Sequence, residues 1–364
     1  MHRKKKSKKL PLLLISALLV VLLATGAFYV YRELRPVTAT NEATELVEIP
    51  KGATRKDIAH ILKKKKLIRS TTLFNYYTRF AVDASKFAAG YYELSPAMST
   101  PTIAKHLEQD GGVVEASQVV VREGVNIETI AEEVDKHTEF TKDDFLKAVT
   151  NKEFLADLKA KYPKLLAEAS DQEEVRYVLE GYLFPKTYPV THGMELTDLI
   201  AQMVEQSQLL YEKYQKDFAK QNLSVHEIFT LASFIENEGK TEKDRALISG
   251  VFHNRLDAEM PLQTDVSVAY ALGSHREYVT LKDIEVDSPY NTYLYPGLTP
   301  GPVNSPSESA ILAALHPEKT DYMYFLADIK TGKVYYSKTY EEHLKLQEKY
   351  VPAEAPKTAA DTEA

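Results

Sequence analysis

An uncharged, apolar run from Leu10 to Tyr31 constrains this chain more than any other feature. At about 1.5 Å per residue it is long enough to cross a bilayer core of roughly 30 Å. Arg3, Lys4, Lys5, Lys6, Lys8 and Lys9 crowd its N-terminal side. The positive-inside rule therefore puts residues 1–9 in the cytoplasm and everything after Arg32 outside. Phe28, Tyr29 and Tyr31 suit the outer interface. Ala24-Thr25-Gly26 also has the small-x-small form of a signal cleavage site. The apolar run is nevertheless longer than a usual signal-peptide core of roughly 7–15 residues, so an uncleaved single-pass helix over residues 10–31 is expected.

The remainder of the chain is acidic. The formal charge of the whole chain is -7, and removing the six basic residues before the apolar run leaves about -13, which argues against nucleic acid as a partner. Cys 0 excludes disulfides, zinc–thiolate sites and cysteine nucleophiles together, which fits an exported protein stabilised by packing alone. No glycine-rich phosphate loop, no HExxH and no Gly-x-Ser-x-Gly elbow is found. The histidines His253, His275, His316 and His343 lack paired ligand spacing, so no metal and no cofactor is expected. Carboxylate chemistry remains.

Beyond a polar linker over residues 32–45, one pattern occurs twice. Ile49-Pro50-Lys51-Gly52 leads to Ile58-Ala59, and Val121-Arg122-Glu123-Gly124 leads to Ile130-Ala131 with the same step from glycine to isoleucine. Each copy reads as a strand, a glycine turn and an amphipathic helix, hence two small α+β modules over 46–115 and 118–195. The strand, turn and helix order resembles the LysM type of glycan-binding module. The run Lys63 to Lys66 reads as a solvated basic face, with contact to an outer leaflet or an anionic polymer as the functional alternative. EGYLFPKTYPV, Glu180 to Val190, reads as loop or edge strand. Pro185 and Pro189 exclude a central sheet, and Tyr182, Phe184 and Tyr188 are too apolar for a free loop. Ser305, Pro306 and Glu308 predict a helix start with Pro306 at its first position, closed by Pro317. Tyr322 to Ala327 and Lys333 to Ser337 flank Lys330-Thr331-Gly332 as a hairpin, and residues 351–364 read as a disordered tail.

The chemistry is concentrated in LASFIENEGK, Leu231 to Lys240, which sets two carboxylates two residues apart at the end of an otherwise apolar helix. Ser224 and Glu227 form a capping box that starts this helix, and Gly239 offers a stop. Ile228, Leu231, Ala232 and Ile235 recur at helical spacing and must face a core. Glu236 and Glu238 fall roughly 90° to either side of that apolar arc, so helix geometry alone does not choose between them. The negative end of the helix dipole and partial burial both raise a carboxyl pKa here, toward general-acid values.

Two polar clusters have the mixture that sugar sites need. Gln263-Thr264-Asp265 and Tyr290-Asn291-Thr292-Tyr293 combine amide and carboxylate groups for hydroxyls with aromatic faces for the apolar side of a pyranose. Tyr270, Tyr278 and Tyr295 add to them. With Trp 0, tyrosine is the only large amphipathic platform the chain has.

ASFIENE, VFHNRL, MPLQTD, SPYNTY-x-x-x-GL-x-PGP, HP-x-x-x-x-YMYF and EGYLFPKTY together resemble the YceG-like endolytic murein transglycosylases, from about Leu46 to Tyr350 and in the same motif order. The resemblance implies an α+β protein. A single transmembrane helix and LysM-like modules would precede a catalytic domain over 196–350, anchored in the cell membrane with the catalytic part extracellular. It implies nascent peptidoglycan glycan strands as substrate, with peptidoglycan synthases as candidate neighbours. It also assigns the catalytic role to the first glutamate of the motif, Glu236. Asn237 departs from the lysine that many members carry between the two glutamates. Glu236 would protonate the glycosidic oxygen at N-acetylmuramic acid C1, then take the proton of the C6 hydroxyl as that oxygen closes a 1,6-anhydro ring. Gln263, Asp265, Tyr290 and Asn291 are the candidates for substrate positioning, and Glu238 for support of the site. On this view Glu236→Gln abolishes turnover without affecting stability. Two rivals stay open: a hydrolytic muramidase in which Glu238 or Asp265 activates water, and a non-catalytic wall-binding scaffold.

Overall fold

The computed structural model describes residues 9–39, 44–169, 174–273, 279–328 and 331–350. The basic residues of 1–8, His275, Tyr278, Lys330 and the tail over 351–364 lie outside them. Two compact units divide the chain, Met1–Ala116 with Thr191–Gly193, and Ser117–Val190 with Met194–Ala364.

The first unit opens with α1 (Lys9–Leu34), whose helix continues three residues beyond the expected apolar run. Its stretch Ser16–Leu34 is long and apolar enough to cross a membrane, and its described side chains before Glu33 are exposed. Next come β1 (Glu45–Ile49), α2 (Arg55–Lys64), α3 (Thr71–Phe80), β2 (Gly90–Leu94) and α4 (Thr100–Gln109). β1 and β2 pair antiparallel with Val47 opposite Tyr92. Their inward residues Val47, Ile49, Tyr92 and Leu94 close a core with Ile58, Leu62, Phe74 and Ile103. Thr54 caps α2 through a reciprocal box with Asp57, so the helix starts where the chain leaves the turn.

The second unit contains β3 (Glu115–Val121) for the most part, then α5 (Ile127–His137), α6 (Lys142–Val149), α7 (Lys152–Lys161), β4 (Lys186–Thr191), α8 (Leu196–Lys213) and α9 (Gln215–Phe218). It continues with α10 (Val225–Glu238), α11 (Glu242–Asp257), α12 (Asp265–Ala271), α13 (Glu308–Leu315), β5 (Tyr324–Ala327), β6 (Val334–Ser337) and α14 (Tyr340–Tyr350). β3 pairs with β4 in a sheet of two strands, where Pro189 costs no central ladder bond. β5 and β6 form the expected antiparallel hairpin. One core cluster runs from Val119 through Tyr182 and Phe229 to Leu315, so the segments expected as a second module and a catalytic domain share a single interior.

The repeat is structural. Both copies are strand, turn and helix, and Ile58, Ala59, Ile130 and Ala131 are all buried. The turn glycines take the left-handed conformation, φ 79° at Gly52 and 72° at Gly124. Their surroundings differ. A Cβ on Gly52 would meet nothing within 4 Å, whereas one on Gly124 would lie 2.5 Å from Asn237 Oδ1. The Gly124 N–H donates to Ser305 O at 2.9 Å, and the Ser305 N–H returns a bond to Val125 O at 2.8 Å. The second turn is thus strapped against the end of α10, and the first has open space beside it.

The start of α13 differs from the sequence expectation by two residues. Ser307 is its cap, accepting from the Ala310 N–H, so Pro306 lies before the helix. Unequal costs are expected for the two glycines. Gly52→Ala should cost about 1 kcal/mol, the ordinary penalty of a left-handed L-residue. Gly124→Ala should cost roughly 3 kcal/mol or more, because it adds the clash with Asn237. Urea midpoints of the two variants check the difference.

Candidate active site

Glu236 and Glu238 stand two residues apart on α10, about 200° of helix rotation, and so cannot face the same way. Glu236 turns inward. Its Oε1 accepts from Arg245 Nη2 at 2.6 Å, and its Oε2 accepts from the Ser307 N–H at 2.8 Å and the Ser307 hydroxyl at 2.5 Å. Arg245 also donates to Gly239 O at 3.0 Å and to Ser307 Oγ at 3.1 Å. With side-chain exposures of 13% for Arg245 and 5% for Glu236, this is a buried ion pair joining α10, α11 and the positive N-terminus of α13. Both oxygens of the Glu236 carboxyl are thus held by donors, from Arg245 on α11 and from Ser307 at the start of α13.

Glu238 turns outward into a cleft of about 720 Å³. One wall is the second glycine turn and the first residues of α5, with Arg122, Asn126, Thr129 and Glu132; another is α12, with Asp265, Val266, Ala269 and Tyr270. Asn237 and Glu238 close the end, and Val303 and Asn304 come from a strap along α10. That strap is the GLTPGPVNS run. Asn304 Nδ2 donates to Ser233 O at 2.8 Å, the Val303 N–H donates to Ser233 Oγ at 3.1 Å, and His226 Nε2 donates to Pro300 O at 2.8 Å. Asn304 Oδ1 is left as a buried acceptor without a hydrogen-bond partner.

Glu238 is half-buried, and the Thr264 hydroxyl donates to its Oε1 at 2.7 Å. Burial pushes its carboxyl up to about 7; the Thr264 bond opposes that rise and the charge of Asp265 adds to it. A carboxyl protonated near neutral pH and open to a cleft is suited to general-acid chemistry.

Of the four residues expected to position substrate, only Asp265 lines the cleft. Its Oδ1 accepts from the Tyr293 hydroxyl at 2.7 Å, so it also anchors the loop that carries Tyr293. Asn291 is fully buried and spends its amide inside the loop: Nδ2 donates to Ile284 O and Val286 O at 2.7 and 2.8 Å, and Oδ1 accepts from the Tyr293 N–H at 3.0 Å. Tyr290 is buried in the core against Tyr270, ring centroids 4.9 Å apart. Gln263 adopts φ 50°, and its Oε1 accepts from Arg255 at 2.9 Å, so the VFHNRL arginine holds the turn that presents Thr264 and Asp265.

Sequence reasoning missed Arg245, Ser307 and the α5 wall, and named Thr264 only within a polar cluster, without its bond to Glu238. The first two had a signal, since a carboxylate inside an apolar helix end needs a cation and donors. The wall had none, because it lies more than a hundred residues away in the chain. Sequence reasoning also left Glu180 without a role. It is fully buried beneath the cleft, accepts the Ile127 N–H at 3.1 Å, and burial raises its carboxyl to about 8, against the lowering by Tyr270 and Ile127. Tyr270 of the α12 wall is backed by this buried carboxyl. Among the described residues no His, Cys, Asp and Glu group is suited to a metal.

The two glutamates should separate in stability. Glu236→Gln leaves Arg245 buried without its counter-charge and should cost about 2–5 kcal/mol, contrary to the expectation of an unchanged fold. Glu238→Gln removes a carboxyl whose folded pKa lies above its unfolded one. Such a group stabilises below its unfolded pKa and loses that contribution as pH rises through about 7, so at pH 8 its removal should be neutral or stabilising. Thermal unfolding at pH 5 and pH 8 measures both.

The sequence profile of the YceG-like family matches residues 47–349. The chain is 40% identical to the endolytic murein transglycosylase of Bacillus subtilis over 338 residues, 92% of this chain and 93% of that protein. It is 36% identical to the protein of the same name from Streptococcus pneumoniae D39 over 344 residues, 89% of this chain, and spans 62% of that longer protein. The crystal structure of the yceG-like protein lmo1499 of Listeria monocytogenes aligns over 84% of this chain and all of that one, with a TM-score of 0.61 and 42% identity. On the match to nearly all of the residues after the apolar helix and on these relatives, the chain belongs to the YceG-like family.

Proposed function

We propose that this chain is a membrane-anchored endolytic murein transglycosylase in which Glu238 carries the proton, with Glu236, the glutamate that the family resemblance implies, as the alternative acid; loss of turnover in Glu236→Gln with turnover kept in Glu238→Gln would favour Glu236. The observation that carries the assignment is the neutral-leaning Glu238 carboxyl facing the cleft while Glu236 is locked to Arg245 and Ser307. Protonated Glu238 gives its proton to the glycosidic oxygen leaving N-acetylmuramic acid C1, and an oxocarbenium-like centre develops. Asp265, in the same cleft and held by Tyr293, supplies negative charge near that centre. Glu238, now a carboxylate, takes the proton of the sugar's own C6 hydroxyl as that oxygen closes on C1. The product is a 1,6-anhydromuramyl end, and no water is consumed.

The positioning roles divide by reach. Asp265, Asn126, Thr129 and Asn304 are the groups able to meet sugar hydroxyls and acetamides, while Gln263, Tyr290 and Asn291 shape the loops that carry them. The first unit is read as a LysM-like glycan-binding module, supported by its strand, glycine turn and helix. The N-terminus is read as cytoplasmic and the catalytic unit as extracellular, supported by the basic residues that precede the apolar run. Nascent strands still attached near the membrane are the substrate that such an anchor favours, and synthases that extend them are the neighbours it implies.

A hydrolytic muramidase is the second reading, because Asp265 shares the cleft and could direct a water instead. Mass spectrometry of digested glycan strands separates the two: anhydromuramyl ends are expected, and reducing ends carrying one added water would favour hydrolysis. Glu238→Gln should lower turnover by roughly 10²–10⁴. The rate should also fall as pH rises through about 7, where the acid is lost. Thr264→Val removes the bond that favours the charged form and should move that limb to higher pH. An unmoved limb would detach Glu238 from the profile.

A further inference from the structure

The chain meets its first folded unit almost as soon as α1 ends at Leu34. Arg69 Nε and Nη2 donate to Pro36 O at 3.2 and 2.8 Å, and Nη2 also donates to Val37 O at 2.8 Å. The Val37 and Thr38 N–H groups donate to Pro96 O at 2.9 and 3.1 Å. The linker expected over 32–45 is therefore docked at Pro36, Val37 and Thr38. Leu34 and Pro36, two residues apart, can be separated by no more than about 7 Å of chain.

α3 packs against α1. The described residues of α1 before Glu33 are exposed and Glu33 and Leu34 are half-buried, so that packing falls on the last turn, where the apolar span ends. α3 turns Phe74 and Thr78 into the core and leaves Tyr76 67% and Phe80 70% exposed, one helical turn apart with ring centroids 5.2 Å apart. The Arg79 guanidinium lies over the Phe80 ring at 5.6 Å. Lys64 and Lys66, at the end of α2, are exposed as well. Two solvent-facing aromatic rings, one of them under the Arg79 guanidinium, on a helix packed against the exit of an apolar span, match the chemistry of an anionic bilayer interface.

We propose that the Tyr76–Phe80 face of α3 rests in the headgroup layer of the outer leaflet, so that the first unit lies on the membrane instead of hanging from a free tether. The inference rests on reading α1 as a membrane anchor. Its consequence is geometric: the unit is held in the layer where a lipid-linked glycan begins, with the Arg69 clamp suppressing the swing that a flexible linker would allow.

The chain has no tryptophan, so Phe80→Trp creates a single reporter. The full-length variant is reconstituted into vesicles of phosphatidylethanolamine and phosphatidylglycerol, with and without lipid brominated near the headgroup end of its acyl chains. The expected result is blue-shifted emission reduced at least about twofold by the brominated lipid and shielded from acrylamide. Tyr76→Trp, made in parallel, should behave alike, so a folding defect in one variant leaves the other to decide. Emission at the aqueous maximum, quenched by acrylamide and indifferent to bromine in protein that resists alkaline carbonate extraction, would overturn the proposal and leave the anchor intact. Release of the protein by carbonate would overturn the anchor reading and the proposal with it.

Discussion

The buried ion pair between Glu236 and Arg245, closed by Ser307, is the interaction on which the rest of the site depends. A charge taken out of water is costly unless it is paired and hydrogen-bonded, and here both Glu236 oxygens are satisfied by donors from two other elements, α11 and the start of α13. The pairing fixes the rotation of α10 at its last turn. Because residues two apart on a helix point nearly opposite ways, fixing Glu236 inward aims Glu238 outward. The directions of the two glutamates are one geometric decision. It also places two carboxylates so close in sequence in opposite electrostatic surroundings: Glu236 among donors, Glu238 among low-dielectric walls with a neighbouring negative charge.

The second strand–turn–helix copy has been recruited to this arrangement. Gly124 permits a left-handed turn whose backbone exchanges bonds with Ser305 and whose surface meets Asn237, so the wall carrying Asn126 and Thr129 is set against the end of α10. Glu180, from the aromatic Glu180 to Val190 segment, seats the first N–H of α5 from below. The first copy keeps the same local design around Gly52 with open space beside it. Two similar supersecondary units thus have different fates, and packing gives one of them a place in the cleft.

Much of the local structure was legible in the sequence, because it depends on short-range rules. The Ser224–Glu227 capping box, the repeated glycine turns, the edge strand with Pro189 and the C-terminal hairpin all rest on neighbours within a few residues. The boundary at α13 slipped because Ser305-Pro306 and Ser307-Glu308 offer competing helix starts, and the Ser307 hydroxyl decides it by binding both Ala310 and Glu236. The site was legible as a neighbourhood. The surroundings of the two glutamates were not, since they depend on Arg245, Ser307 and Thr264, whose convergence is tertiary. Asn291 and Tyr290 show the same limit from the other side: residues well suited to sugars by type are consumed by the loop and the core.

The central claim is that the carboxyl facing the cleft, Glu238, titrates near pH 7, below the buried Glu180 at about 8. Carbon-13 NMR of protein labelled at the glutamate side-chain carboxyls measures this without reference to turnover. A resonance titrating near pH 7 should be present in the parent protein and in Thr264→Val at a higher midpoint, and absent from Glu238→Gln. Persistence of that resonance in Glu238→Gln would contradict the account.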